Sequence, residues 1–149
     1  MESQGLSGEQ KSVPQASEVG EPSKATTRVE TELDQKGHAV TMEDQWQARD
    51  YYAKGHSAMK KKQLEAAIQH YSEAIRFNPG YAEAHNSLAI AYTFSGRFEE
   101  AVKNYDAALR LWPDYEEAKR NREVVAEMIG KPPEEQKKFL ESLKYQVGK

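Results

Sequence analysis

Histidine is the side chain best suited to titrate, ligate a metal or pass protons near neutral pH, and the chain has four: His38, His56, His70 and His85. A helical zinc site needs two histidines on one face at i, i+4 spacing, often as His-Glu-x-x-His. No pair here has that spacing. His56, His70 and His85 are therefore expected as surface or packed residues, with no metal site. The absence of cysteine excludes disulfides, thiolate nucleophiles and zinc sites built on Cys pairs. Gly55, Gly80, Gly96 and Gly130 are isolated, not gathered into a loop that could cradle phosphate. Carboxylates are plentiful but fall into pairs such as Glu99/Lys103, the ordinary i, i+4 support of an exposed helix face. Lys60-Lys61-Lys62 is the one basic run in a chain of net charge −3. Three lysines fall short of the basic stripe with interleaved aromatics that nucleic-acid binding needs. No nucleophile is brought beside a base. The expectation is a protein that is not an enzyme, with no cofactor, no metal and no nucleic-acid partner.

The elements that would position any binding residue occupy only part of the 149 residues, a length that fits one domain. No stretch approaches the ~18 consecutive apolar residues of a membrane span. Met1-Glu2-Ser3-Gln4 begins neither a secretory signal nor a transit peptide, so no membrane insertion is expected and a cytoplasmic location is the default. All aromatic residues lie between Trp46 and Tyr145. Residues 1–44 carry Lys11, Lys24, Arg28 and Lys36 against more than twice as many carboxylates. A segment of that composition cannot bury enough apolar surface to offset about 1–2 kcal/mol of ordering entropy per residue. Residues 1–44 are expected to form a disordered acidic tail.

From residue 48 the sequence repeats. Residues 48–81 align without a gap on residues 82–115, with identity at Ala48/Ala82, Glu65/Glu99, Ala67/Ala101, Tyr71/Tyr105, Ala74/Ala108, Arg76/Arg110, Pro79/Pro113 and Tyr81/Tyr115. A fixed period of this length marks a solenoid. Each unit divides into two helical patterns. In the first, Tyr51, Gly55 and Ala58 form one stripe and Leu64, Ala67, Ile68, Tyr71, Ala74 and Ile75 a wider one, with the lysine run as the turn between them. In the second, Ser95-Gly96 supplies the turn, with glycine available for positive φ. Asn78-Pro79 and Trp112-Pro113 close the units, because the residue before proline is driven out of the α region.

Two repeats leave an apolar face that needs a cap. Residues 116–129 fit, with Ala118, Val125 and Ile129 turned to the second repeat and Gly130 as the stop. Residues 132–147 predict a last amphipathic helix, opened by Pro132-Pro133-Glu134-Glu135 and striped by Phe139, Leu140, Leu143 and Val147. The fold expected is all-α, a helical-hairpin solenoid of about six helices, with residues 45–130 as the repeat domain.

The series Tyr51, Gly55, Ala67, Tyr71, Ala74, Pro79 and its echo Ala89, Tyr92, Ala101, Tyr105, Ala108, Pro113 closely resembles the tetratricopeptide repeat family. The departures are mild: Lys54 stands where the family usually has leucine, and His85 where it usually has an aromatic. The resemblance implies that the first helix of each pair lines a concave groove that receives peptide segments. Carried onto this sequence, the groove positions are Arg49, Tyr52, His56 and Met59, then Asn86, Ile90, Thr93 and Phe94, then Arg120, Val124, Glu127 and Met128. The resemblance thus implies an adaptor or scaffold that binds a segment of a partner protein. Independently of it, Tyr52, Ile90, Phe94, Val124 and Met128 lie off the packing stripes, and surplus apolar surface tends to mark an interaction site.

Family members that hold the C-terminal carboxylate of heat-shock chaperones use Lys, Asn, Asn, Lys and Arg. In the register fixed by Gly55 and Ala89 those places hold Tyr52, His56, Ser87, Glu117 and Asn121. Asn86 and Arg120 each lie one residue early, so a co-chaperone with a non-standard clamp is retained as an alternative, although chaperone-tail binding is not expected. A second alternative is self-association, including a homodimer, through the terminal helix or the repeat stack. The groove is expected to be open; in the competing arrangement the last helix folds back and Phe139, Leu140 and Leu143 fill it in cis.

Overall fold

The computed structural model describes residues 39–147, with side chains to residue 144. Most of the expected tail and His38 lie outside the described residues, as does the Val147 side chain. Within the described residues the chain forms α1 (Met42–Lys60), α2 (Leu64–Phe77), α3 (Ala82–Phe94), α4 (Phe98–Leu111), α5 (Glu116–Met128) and α6 (Pro133–Val147). This is the all-α hairpin solenoid that the repeat predicts. The first helix starts three residues earlier than the tail boundary at residue 44 allows. Thr41 and Asp44 form a capping box in which Asp44 N–H donates to Thr41 Oγ1 at 3.0 Å and Thr41 N–H donates to Asp44 Oδ2 at 2.9 Å. That reciprocal pair satisfies two otherwise orphaned donors and anchors the start of the helix.

Helices α1 to α5 each pack on their chain neighbours, the nearest-neighbour order of a solenoid. Small residues make this possible. Ala48, Ala67, Ala74, Ala84, Ala89, Ala91, Ala101, Ala108 and Ala118 are all fully buried and let the helices approach closely. Between them stand the two largest fully buried side chains, Tyr71 and Tyr105, one in each repeat. Gly55 is the tightest point. A Cβ built there would fall 2.5 Å from Tyr71 Cδ1 and closer still to Cε1.

The two hairpin turns are copies of each other. Gln63 N–H reaches Ala58 O at 2.9 Å and Lys62 N–H reaches Met59 O at 2.9 Å; Arg97 N–H reaches Tyr92 O at 2.9 Å and Gly96 N–H reaches Thr93 O at 3.0 Å. Both are Schellman closures, which place one residue in the left-handed region. In the second turn that residue is Gly96 (φ 78°), but in the first it is Lys62 (φ 60°). A side chain there costs about 1–2 kcal/mol, partly offset because glycine has more freedom to lose on folding. Lys62→Gly is expected to stabilise the protein by roughly 0.5–1 kcal/mol, and Gly96→Ala to destabilise it by about 1 kcal/mol; urea titration of the two variants checks the opposite signs.

The third turn is different. Ile129 is extended (φ −66°, ψ 124°) where Lys61 and Ser95 keep ψ near zero. Pro132 and Pro133 then occupy the places where the second helix of a pair would begin. The chain leaves the repeat path, and α6 approaches α3 across the turn end of the stack. Ile129, expected against the second repeat, is consequently exposed at 37%. Ala118 and Val125 do face the repeat, and α5 is held there by the Arg122–Asp106 ion pair to α4. Phe139 and Leu140 pack on the core cluster of Phe98, Ala101, Tyr105 and Val125. Phe139 meets Phe98 edge to face at 6.0 Å, and Gln136 Nε2 donates to Met128 O at 2.9 Å.

Candidate functional site

The repeat geometry brings α1, α3 and α5 to one side, and the residues expected in the groove divide into two groups. The first is apolar and lies toward the turns. Ile90 and Met128 pack on one core cluster and Met59 on the other. Met59, Lys62, Leu64, Phe94, Leu140 and Lys144 line a pocket of about 240 Å³. Leu140 and Lys144 belong to α6, so the last helix closes part of this end, and the fully open groove of the sequence-based expectation is not what the structure holds. The arrangement is intermediate, because Val124 remains 47% exposed.

The second group is polar and lies toward the helix N-termini. Asn86 Nδ2 donates to Glu117 Oε1 at 2.6 Å and to the Tyr115 hydroxyl at 3.1 Å. Ser87 Oγ donates to the Tyr52 hydroxyl at 3.3 Å, and the Tyr71 hydroxyl pairs with His56 Nδ1 at 3.1 Å. The Tyr52 ring lies 4.9 Å from Tyr81 and 4.4 Å from His56, and Trp112 stacks on Tyr115 at 4.4 Å. Burial raises the Tyr52 and Tyr115 hydroxyls above their usual range, and the charges of Glu83 and Glu117 push both further in the same direction. Burial likewise lifts Tyr105, to about 12. These phenols stay protonated at neutral pH and act as hydrogen-bonding groups.

Two expected groove residues are not surface at all. Asn86 is 2% exposed and Thr93 is 5% exposed. Thr93 turns its hydroxyl to Ala89 O at 2.9 Å, satisfying its donor within its own helix. Arg49 is half-buried, while His56, Arg120 and Glu127 are exposed. Conversely, Ser87 and Tyr115 belong to the site although the expected groove residues do not include them, and Leu140 enters it as the competing arrangement, with the last helix folded back, has it. Tyr81 and Tyr115 are identical repeat positions, and that identity is the signal the sequence offers for Tyr115.

His85 is held by Nε2–H donating to Pro79 O at 3.1 Å, with the Asn104 side chain beside the ring. Burial depresses its pKa below 6.5, and His56, exposed overall but with one side of its ring packed against Tyr52 and Tyr71, is lowered by that partial desolvation and by the Lys60 charge. The sign follows directly. Both rings are favoured neutral in the fold, whereas the unfolded chain takes up protons near pH 6.5. Their contribution is complete above that pH and is lost as the pH falls from there through the folded-state values. Thermal unfolding is therefore expected to shift to lower temperature between pH 7 and pH 5, with a smaller shift in His85→Gln; pH-independent melting over that window would contradict it.

Among the described residues, no group of three or more His, Asp or Glu side chains is arranged to hold a metal, and no helix is long and apolar enough to cross a membrane. Residues 55–93 match the family model described as TPR repeat, and residues 82–115 the one described as Tetratricopeptide repeat. The two matches overlap and together span residues 55–115, so this stretch carries tetratricopeptide repeats, folded as the helical hairpins they require and of a kind that serves protein–protein interaction. No curated protein matches the chain.

Proposed function

We propose that the chain is a non-catalytic adaptor whose groove, formed by α1, α3 and α5, receives a segment of a partner protein. The observation that carries this is the division of the groove wall. Apolar surface at Ile90, Phe94, Val124 and Met128 adjoins the polar cluster around Tyr52, Asn86 and Glu117, so both side-chain anchoring and orientation are available along one path. Pockets that bind specifically combine apolar lining with a few placed polar groups. The residues of the chaperone-tail clamp are missing from this path, and Glu117 would repel a terminal carboxylate.

The test is a random peptide library selected on the full chain. Arg120→Glu and Val124→Glu alter exposed side chains and should leave the fold intact. Selected peptides are expected to bind these variants about tenfold more weakly, as for loss of a moderate interface contact. Peptides that bind wild type and both variants alike would place the interaction elsewhere. Sedimentation of the free chain over a range of concentrations addresses the self-association alternative: a strict monomer excludes it.

A further inference from the structure

The pocket where α6 crosses the turn end of the groove combines apolar walls with a cationic rim. Met59, Leu64, Phe94 and Leu140 supply the walls, and the charges in its lining are those of Lys62 and Lys144, both exposed. At about 240 Å³ it is smaller than the ~300–1,000 Å³ of sites that enclose a drug-sized molecule. One large apolar side chain is the occupant its size suits.

The rim charges have no counter-charge of their own. None of the ion pairs among the described residues includes Lys62 or Lys144, nor Lys60 or Lys61 on the same exposed turn. Glu65, the carboxylate next in sequence after the turn, is directed to Arg97 at 3.9 Å, and Glu141, one turn before Lys144 in α6, forms no pair with it. Lys62 adds an independent observation. It holds φ 60° where the equivalent residue of the second turn is Gly96 at φ 78°. Glycine there would relieve the backbone, and strain of this kind collects at ligand clamps. The side chain that occupies the strained position is one that lines the pocket.

We propose that this pocket anchors the partner segment by one large apolar side chain, with an aspartate or glutamate beside it held by Lys62 and Lys144. The proposal rests on the groove receiving a partner segment and adds the chemistry of the anchor at its turn end. The division of labour is physical. The apolar side chain covers Met59, Leu64, Phe94 and Leu140, which gain by losing water, while the carboxylate stays at the exposed rim, where pairing with an ammonium requires little desolvation.

Peptides selected from the library on the full chain are expected to carry a large apolar residue adjoining Asp or Glu. Alanine at the apolar residue should weaken binding more than about tenfold. Asn or Gln in place of the acidic residue should weaken it about three- to fivefold, an effect that fades as salt is raised. Lys62→Gly and Lys144→Gln are each expected to reproduce that loss with the acidic peptides and to leave the amide analogues unchanged. Because Lys62→Gly should also raise the urea midpoint, weaker binding by this variant cannot be assigned to a damaged fold. Peptides weakened by Val124→Glu yet indifferent to both lysine variants and to their own acidic residues would refute the anchor and leave the groove standing. Peptides weakened by the lysine variants and unaffected by Val124→Glu and Arg120→Glu would keep the pocket and refute the longer groove path. The chain itself contains a run of matching chemistry, Val29-Glu30-Thr31-Glu32-Leu33-Asp34. A nitroxide on Leu33→Cys, the sole cysteine of that variant, should leave the Met59, Leu64 and Leu140 methyl signals of the free full chain unbroadened. Broadening of those signals would make the chain's own run the occupant and overturn the assignment to a partner.

Discussion

Replacing Tyr71 by alanine is expected to cost about 3–5 kcal/mol, the range for truncating a large buried ring. The ring is 1% exposed and is covered by Tyr52 and His56 with centroids 5.8 and 5.5 Å away. Most of that cost comes from the void, since the hydroxyl makes one part-buried bond to His56; Tyr71→Phe should cost only about 0.5–1.5 kcal/mol. Gly55 makes the mechanism separable. Its missing side chain leaves the space that the Tyr71 ring fills, so Gly55→Ala should cost about 1–3 kcal/mol through overpacking, less up to about 1 kcal/mol regained in helix propensity. With Tyr71→Ala in the same molecule, the added methyl enters the vacated space, and the two costs should fall short of their sum by about 0.5–3 kcal/mol. Urea titrations of the four proteins close the cycle. Strict additivity would show that the ring is not what excludes a side chain at position 55.

Removal of residues 131–149 is the other large effect. Phe139 and Leu140 are half-buried and cover one side of Phe98, which is only 3% exposed. At about 1.5–3 kcal/mol per fully buried apolar side chain, losing these contacts corresponds to about 2–4 kcal/mol. The effect should be local. Hydrogen exchange is expected to quicken in α5 and the first turn of α4, where Val125, Met128 and Phe98 lose their cover, while α1 and α2 keep their protection. Unchanged protection in α5 would mean that α6 does not support the cap.

The hairpins were legible because packing periodicity is written in residue types. Ala67, Tyr71 and Ala74 and their counterparts Ala101, Tyr105 and Ala108 announce both helix and contact face, and their burial follows. Turn positions were legible too, though Lys62 shows that a repeat can place an ordinary side chain where its partner unit has glycine. The site was harder to read. A register carries a residue to a helix face but says nothing about rotamers, so it puts Asn86 and Thr93 on the groove surface although their side chains are buried. The Asn86–Glu117 contact joins residues from different helices, and no local pattern encodes such a pairing. The path of α6 was likewise open, because an amphipathic stripe fixes which side docks and leaves undetermined where.

The backbone at the ends of the two repeats can be viewed as one screw operation performed twice. Asn78 and Trp112 share φ −139° with ψ 89° and 87°, and Tyr81 and Tyr115 both hold ψ 87°. Each proline corner therefore hands the chain on in the same direction, and the second corner delivers α5 in the orientation of a third unit's first helix. The operation stops one helix later, at the extended Ile129, the left-handed Gly130 and the two prolines that follow. The number of hairpins is thus punctuated by a few consecutive residues, independently of how well the helices stack. A further hairpin grafted after Tyr115, with its own corner, would lengthen the groove by one period and carry the punctuation intact to the new end.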